Sequence, residues 1–410
     1  MKKEVVLKKT KVFGDYGKKR LLDCSASFQD LAKTFLEMPA QNIKKSSADK
    51  YSMLLEKSKE ESRTLLAEHL YEMADIMSEV AQESVSGIQI EDKKRNKIER
   101  DLKEYGIQLM GITLLVDNRD RYKLVVVMRP EKISNEKGGR AKERFMQFTT
   151  KDLGEIFSTY LGIRFKLAKG SVEVLGEEEV SVMYEEESSY KVLTGIARAT
   201  KEGEKISGDN YMILEGENGR YYIALSDGAG SGEKANSASK MVVELLEKFI
   251  DAGFGVEIAI QMINGVLLSS EEEQHLSTLD ICCLDTHTGQ CEFIKVGACS
   301  SYIKSDMLVE IVMSANLPLG VFYRVEIEKT NGQLVNGDYV IILSDGIIQG
   351  LGGDTEIAKF EEMLSGVSYE SPQELANFIL SYTIHEAGGI IEDDMTVLVL
   401  GIWENTLHFS

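Results

Sequence analysis

Histidine, cysteine and proline are scarce in this 410-residue chain, with five, five and four copies, and there is one tryptophan. Five scattered histidines cannot be assembled by spacing into a zinc constellation. The cysteines (Cys24, Cys282, Cys283, Cys291 and Cys299) contain no CxxC pair, which reads as reduced, mostly buried thiols in a cytoplasmic protein rather than a disulfide framework. In a strand, the adjacent Cys282 and Cys283 would point to opposite faces. Positive charge is in deficit: 47 Lys and Arg stand against 67 Asp and Glu, for a net charge of −20. That balance excludes a nucleic-acid surface and electrostatic docking on an anionic membrane. No run approaches the roughly 18 apolar residues of a membrane helix. The richest stretch, Tyr339 to Ile348, is short and contains Asp345. The start, MKKEVVLKKTK, is charged but lacks the apolar core of a signal peptide. What is abundant is apolar residue, 43% of the chain, enough for sizeable cores in two or three domains.

Three regions separate by pattern. Ser52 to Val85 reads as a long helix, with Leu66, Leu70, Met73, Met77 and Val80 recurring at alternating steps of four and three. This seam either packs on a second helix, about Glu91 to Tyr105 and stopped by Gly106, or joins two copies of the chain. Next comes a hairpin, in which Gly111–Val116 meets Tyr122–Val127 across Asp117-Asn-Arg-Asp120. A polar loop from Pro130 to Arg140 follows, then a short helix with Thr150 as N-cap and Gly162 past its end. Strands are expected near Ile163–Lys169 and Val180–Tyr184. The acidic stretch from Glu185 marks a boundary. Beyond Tyr190 the chain is strand-rich. Strands are expected at Leu193–Ala199, Tyr211–Glu215, Tyr221–Ser226, Thr278–Asp285, Glu292–Val296, Ser301–Lys304, Tyr339–Ser344 and Met395–Trp403. Helices interrupt them at Glu233–Ala252, Val256–Ser269 and Pro372–Ala387, a pattern of layered sheets covered by helices.

Four acidic words stand at strand ends: Ser207-Gly-Asp209-Asn210, Ser226-Asp227-Gly228, Ser344-Asp345-Gly346 and Glu392-Asp393-Asp394-Met395-Thr396. The middle two share a form, an apolar run (YYIAL, YVIIL) followed by Ser-Asp-Gly. The strand delivers the aspartate to the sheet rim, and the glycine lets backbone approach closely. A single Asp-Gly after a strand is commonly just a turn; four such words beside strands point to a shared rim. Carboxylates gathered there repel one another, and a hard divalent cation removes the conflict. Two such ions can activate a water and clamp a phosphoryl group with no nucleophilic side chain.

From about Tyr190 to Trp403 the words SGDNY, LSDGAGSGEKA, TLD (Thr278–Asp280), VGACSS, LPLG, LSDG and DDMTVLVL occur in one order. In that order they resemble the metal-dependent protein phosphatase (PPM, protein phosphatase 2C-like) family, and within it the stage II sporulation protein E branch. Glu61–Glu104 resembles, more weakly, the regulatory segment of that branch. The resemblance implies an α+β chain. Residues 189–405 would form a PPM-type β-sandwich flanked by helices. Residues 51–106 would be regulatory helices and 107–188 a small α+β module, with 1–50 unassigned.

The resemblance also implies a site holding two Mn²⁺ or Mg²⁺ ions. Asp227 would bridge them, the Gly228 carbonyl would add a ligand, and Asp345 and Asp393 would complete the other position. Asp209 would act through water, so that Asp227 and Asp209 are the acids nearest the chemistry. The family's ligand is the first residue of its D-[DN]-x-T word, hence Asp393, with Asp394 as the alternative. Arg198 would hold phosphate or form a surface ion pair, and His275 would transfer a proton or lie idle in a loop. The implied activity is removal of phosphate from serine or threonine of a phosphorylated anti-anti-sigma protein, which activates a sporulation sigma factor. The helices at Glu233–Ala252 and Val256–Ser269 resemble a movable switch, and the regulatory helices a homodimer contact. The family's membrane region and its CxxC segment have no counterpart here, so the expected setting is cytoplasmic. Two other readings are a stress-response phosphatase with another partner and a non-catalytic scaffold on the same fold.

Overall fold

The structure is a computed structural model. It describes residues 86–130 except 117–119, residues 149–405 except 169, 177, 217–218, 252–253, 270–275, 307 and 323, and single positions or short stretches between 9 and 78. The chain divides into two compact units, Met1–Glu187 and Ser188–Ser410.

In the first unit, strands β1 (Lys9–Lys11), β2 (Ser86–Ile88), β3 (Ile107–Val116), β4 (Tyr122–Pro130), β5 (Phe165–Leu167) and β6 (Val180–Glu186) form one antiparallel sheet. Their order is β1-β2-β3-β4-β6-β5. Helices α1 (Asp92–Glu104) and α2 (Thr150–Leu161) cover one face. Period-2 alternation explains which face: Leu124, Val126 and Met128 of β4 join Val182 and Tyr184 of β6 in a core with Ile98, Leu102, Leu153 and Phe157 of the helices. Gly106 (φ 71°) and Gly162 (φ 73°) end the helices in the left-handed region, where glycine carries no Cβ penalty.

Three expectations change here. The cap of α2 is Thr149, whose hydroxyl accepts from the Asp152 N–H, rather than Thr150. The Thr150 hydroxyl instead donates to the Val172 carbonyl at 2.5 Å. The strand expected over Ile163–Lys169 is only Phe165–Leu167. Where a long helix is expected over Ser52–Val85, the described positions between 64 and 78 are helical, but Ala67, Leu70 and Ala74 are the buried ones among them and Met73 and Met77 are half-buried. Leu70 clusters with Ala32 and Phe28, and the Ser25 hydroxyl donates to the Ala74 carbonyl at 2.7 Å. The helix thus packs on a segment before it. Leu66 and Val80, like the 131–140 loop, lie outside the described residues.

The second unit is a four-layer sandwich. One antiparallel sheet contains β8 (Asp209–Glu215), β9 (Arg220–Asp227), β10 (Leu279–Asp285), β11 (Gln290–Val296) and β14 (Glu328–Gln333), in the order β14-β11-β10-β9-β8. The other contains β7 (Tyr190–Ala199), β12 (Ser301–Ser305), β13 (Leu308–Val312), β15 (Tyr339–Leu343) and β16 (Met395–Glu404), in the order β13-β12-β15-β16-β7. Helices α3 (Gly232–Asp251) and α4 (Val256–Ser269) cover the first sheet. Helices α5 (Asp345–Leu351), α6 (Asp354–Gly366) and α7 (Pro372–Glu386) cover the second.

Each central strand is buried on both faces, which is why it reads as a continuous apolar run. On β10, Leu279, Ile281 and Cys283 meet the helices, while Cys282 and Leu284 meet the opposite sheet. On β15, Tyr339, Ile341 and Leu343 meet helices, while Val340 and Ile342 face inward. The two adjacent cysteines do point apart. The α+β class and the helix-flanked sandwich expected from the sequence are both present. Four elements give no clear sequence signal. β14 (EKTNGQ) is a polar edge strand, β13 is short and mostly exposed, α5 contains two glycines, and α6 has a Gly353 N-cap with no side-chain cap.

Candidate metal centre and active site

The alternation that fills the inter-sheet core carries on past its apolar layers to one end of the sandwich. On β9, Ile223 and Leu225 face inward, and the next inward position is Asp227. On β8, Ile213 and Tyr211 pack on that core, and the next inward position is Asp209. Asp209 and Asp227 are directly opposed in register, an arrangement that is destabilising for two like charges. In the second sheet, the inward series Val340, Ile342 runs on to Ser344, and Leu400, Leu398 runs back to Thr396. Asp345 follows β15, and Asp393-Asp394 precede the adjacent antiparallel β16. Each sheet therefore brings two acidic strand ends to the same end of the sandwich.

Asp209 is fully buried, and neither of its carboxylate oxygens has a hydrogen-bond partner. Burial pushes its carboxyl up to about 7; the hydroxyls of Thr396 and Ser344 lie near enough to pull the other way without reaching hydrogen-bond geometry, and the charges of Asp394 and Asp345 add to the rise. Burial also pushes Asp227 up, to about 9, helped by Asp209, by Asp345 and by Asp393. Asp345 is raised by burial too, offset by hydrogen bonds that include one from Gln349. These acids sit where their charges are unfavourable, a conflict that a hard divalent cation would relieve.

Local structure holds each acid in place. The Thr278 hydroxyl accepts from the Asp227 N–H at 3.2 Å, and the Ser277 hydroxyl donates to the Asp227 carbonyl at 2.9 Å. In the two Ser-Asp-Gly words the serines clamp neighbouring strands. Ser226 donates to the Thr278 carbonyl at 2.7 Å, and Ser344 accepts from the Thr396 N–H at 2.8 Å. The glycines allow close backbone contact. A Cβ on Gly228 would meet the Ala235 carbonyl oxygen at 2.0 Å, and one on Gly346 the Asp394 carbonyl oxygen at 2.2 Å. Arg198 donates to the Asp209 carbonyl at 2.6 Å and stands 5.6 Å from the Tyr211 ring centroid, so it is tied to the backbone of the first acid.

The two adjacent acids before β16 differ sharply. Asp394 is buried, and its oxygens accept from the N–H groups of Lys201 at 2.9 Å and Gly208 at 2.7 Å. Asp393 is half-buried and accepts from the Asp394 N–H at 2.9 Å. His275 lies outside the described residues. Among the described residues no three His, Cys, Asp or Glu side chains form a ready-made cage for an ion. The fit to a cation rests on the all-oxygen donor set and on the unpartnered Asp209 oxygens, which suit Mg²⁺ or Mn²⁺. Sequence reasoning gave no role to Ser277, Thr278, Ser344 and Thr396. The signal for Ser344, Thr396 and Thr278 was their place inside the acidic words and the TLD word; Ser277, just before the TLD word, had none.

The family described as stage II sporulation protein E (SpoIIE) matches residues 217–403. The stage II sporulation protein E of Bacillus subtilis (strain 168) is 30% identical over 370 residues, covering 86% of this chain and 41% of its own length. That of Priestia megaterium is 34% identical over 226 residues, covering 54% of this chain and 38% of its own. The chain thus spans about two fifths of the length of these curated relatives. A solved structure of the PP2C phosphatase domain and a regulatory-domain fragment of SpoIIE from Bacillus subtilis is 28% identical. It covers 85% of this chain and 98% of its own, with a TM-score of 0.57. The sandwich is of the PP2C type.

Proposed function

We propose that the second unit of this chain, whose residues 217–403 match the stage II sporulation protein E family, is a divalent-metal-dependent protein serine/threonine phosphatase. The observation that supports this most is the meeting of two acidic strand ends from each sheet around an Asp209 whose buried oxygens have no partner. Asp227, the Gly228 carbonyl, Asp345 and Asp393 would hold two Mn²⁺ or Mg²⁺ ions, with Asp209 acting through water. Asp393 is preferred to Asp394 because the Asp394 oxygens are engaged by two backbone N–H groups. When bound, such ions supply Lewis-acid activation of a water and neutralise charge on the phosphoryl group. The chain's own part is to hold oxygen donors from two sheets at fixed separation. Arg198, anchored on the Asp209 carbonyl, adds positive charge beside them.

The substrate in this reading is a phosphorylated anti-anti-sigma protein, whose release from phosphate activates a sporulation sigma factor, and the first unit is the regulatory and dimerising part. The test is phosphate release from such a phosphoprotein with Mn²⁺, with Mg²⁺ and with EDTA. Asp227→Ala and Asp345→Ala should each lower the rate by more than about 100-fold, since loss of mere outer partners of a metal typically costs 10–100-fold. Full activity in either variant, or in EDTA, would end the assignment. Equal rates on an unrelated phosphoserine protein would end the substrate reading alone.

A further inference from the structure

A buried ion pair in the sandwich is not used by this scheme. Lys295 on β11 and Asp280 on β10 are cross-strand partners with side chains only 2% exposed, and they form a direct ion pair. The ammonium also donates to the Cys299 carbonyl at 2.8 Å and to the Ser301 hydroxyl at 2.9 Å, which uses its three protons. Ser301 in turn donates to the Asp280 carboxylate. Asp280 and Lys295 belong to the first sheet, and Ser301 opens β12 in the second. All three continue inward-facing series: Leu284 and Cys282 lead to Asp280, Cys291 and Phe293 to Lys295, and Ile303 to Ser301. They form a polar layer at one end of an otherwise apolar inter-sheet core. The cleft beside them is lined by Asp227, Thr278, Asp280, Cys299, Ser344 and Asp345.

Stability does not account for this layer. Desolvating a buried ion pair offsets most of its attraction, and apolar replacements of similar volume are often neutral or stabilising. Asp280 even keeps one buried oxygen without a partner. What the pair provides is direction. Apolar layers fix contact but few angles, whereas these bonds tie one sheet to the other. They also lead to one acid on each side. Thr278, two residues before Asp280, holds the Asp227 N–H. Cys299, held by Lys295, donates its thiol to the Leu343 carbonyl at 2.8 Å, two residues before Asp345.

We propose that Lys295, Asp280 and Ser301 are positioning residues that set the spacing between the two pairs of aspartates, and through it the affinity for divalent cations. This rests on the metal-centre reading above. The test titrates Mn²⁺ calorimetrically into the full chain, with urea unfolding in EDTA run alongside. Lys295→Met/Asp280→Leu removes both charges together, so the variant should unfold cooperatively near the wild-type midpoint. Its Mn²⁺ affinity should fall by about 10–100-fold, the range typical of outer-shell losses. Ser301→Ala leaves a Lys295 proton without its acceptor and Asp280 without a donor, so it should unfold at lower urea than wild type while remaining folded without urea, and should lose Mn²⁺ affinity several-fold. A folded double variant with wild-type affinity overturns the inference and leaves the metal centre standing. A wild-type chain that binds no Mn²⁺ overturns both. If the double variant does not fold, Ser301→Ala decides, and unchanged affinity there overturns the inference.

Discussion

Asp393 and Asp394 are neighbours in sequence with different work. Asp394 accepts two backbone N–H groups that otherwise have to be buried alone, so its removal strands both donors. Asp394→Ala should cost roughly 3 kcal/mol of stability in urea unfolding. Asp393→Ala loses one bond, from the Asp394 N–H, and relieves repulsion with Asp227. In EDTA its stability should change by about 1 kcal/mol or less, while its Mn²⁺ affinity drops. The reverse ranking would give the ligand role to Asp394. The aspartates themselves were legible because each stands where an apolar run stops, and chain order supplied the rest. Strand-end placement alone did not choose between the adjacent pair, and only the resemblance pointed to Asp393, because the physical difference depends on which carboxyl meets the backbone of residues 201–208. Asp280 and Lys295 were hidden for another reason. Each sits inside an apolar run, and its meaning emerges only when the inward face of its strand is known. The Thr149 and Thr150 capping choice is of the same kind, since either hydroxyl can cap and the Val172 carbonyl claims one of them.

At the scale of elements, strands buried on both faces were the easy part, because a run such as YVIIL has no other economical reading once Ser-Asp-Gly closes it. Edge strand β14 and the glycine-bearing α5 were not. β14 is held by its ladder to β11 and has a polar sequence, and α5 is held by burial of Ile347 and Leu351. Helix α3 shows how an element reaches the site. Its Asn236 donates to the Ser207 carbonyl at 2.7 Å, and its Ser239 accepts from Asn210 at 2.9 Å, so it grips both sides of Asp209. Asn236→Ala should cost about 1 kcal/mol in urea and weaken Mn²⁺ binding; an unchanged affinity would show that the grip does not reach the acid. Gly346→Ala is the harsher test of element packing. Its Cβ would lie 2.2 Å from the Asp394 carbonyl oxygen, so α5 or the strand must shift. A loss of about 3 kcal/mol or outright failure to fold is expected. A variant as stable as wild type would mean that the turn is looser than this contact implies.

At the scale of the whole molecule, the acidic rim makes stability depend on pH and metal together. In the metal-free chain Asp209 and Asp227 are raised from an ordinary 3.8 to about 7 and about 9. Unfolding returns both to ordinary values, so between those limits the folded chain holds more protons than the unfolded one. The contribution is therefore fully present below the ordinary carboxyl pKa and is lost as pH rises through the folded values. Its slope is at most about 1.4 kcal/mol per pH unit for each proton involved. In the proposed reading a divalent cation would take the place of those protons. Thermal melts in EDTA should show the midpoint falling from mildly acidic to alkaline pH, and Mn²⁺ should raise it most at the alkaline end, where no proton competes. Asp227→Asn removes one of the two groups and should flatten the EDTA profile while abolishing most of the Mn²⁺ effect. A wild-type profile in EDTA that rises with pH, or a Mn²⁺ effect that shrinks with pH, would mean that the buried acids are already ionised and compensated by a group other than a cation.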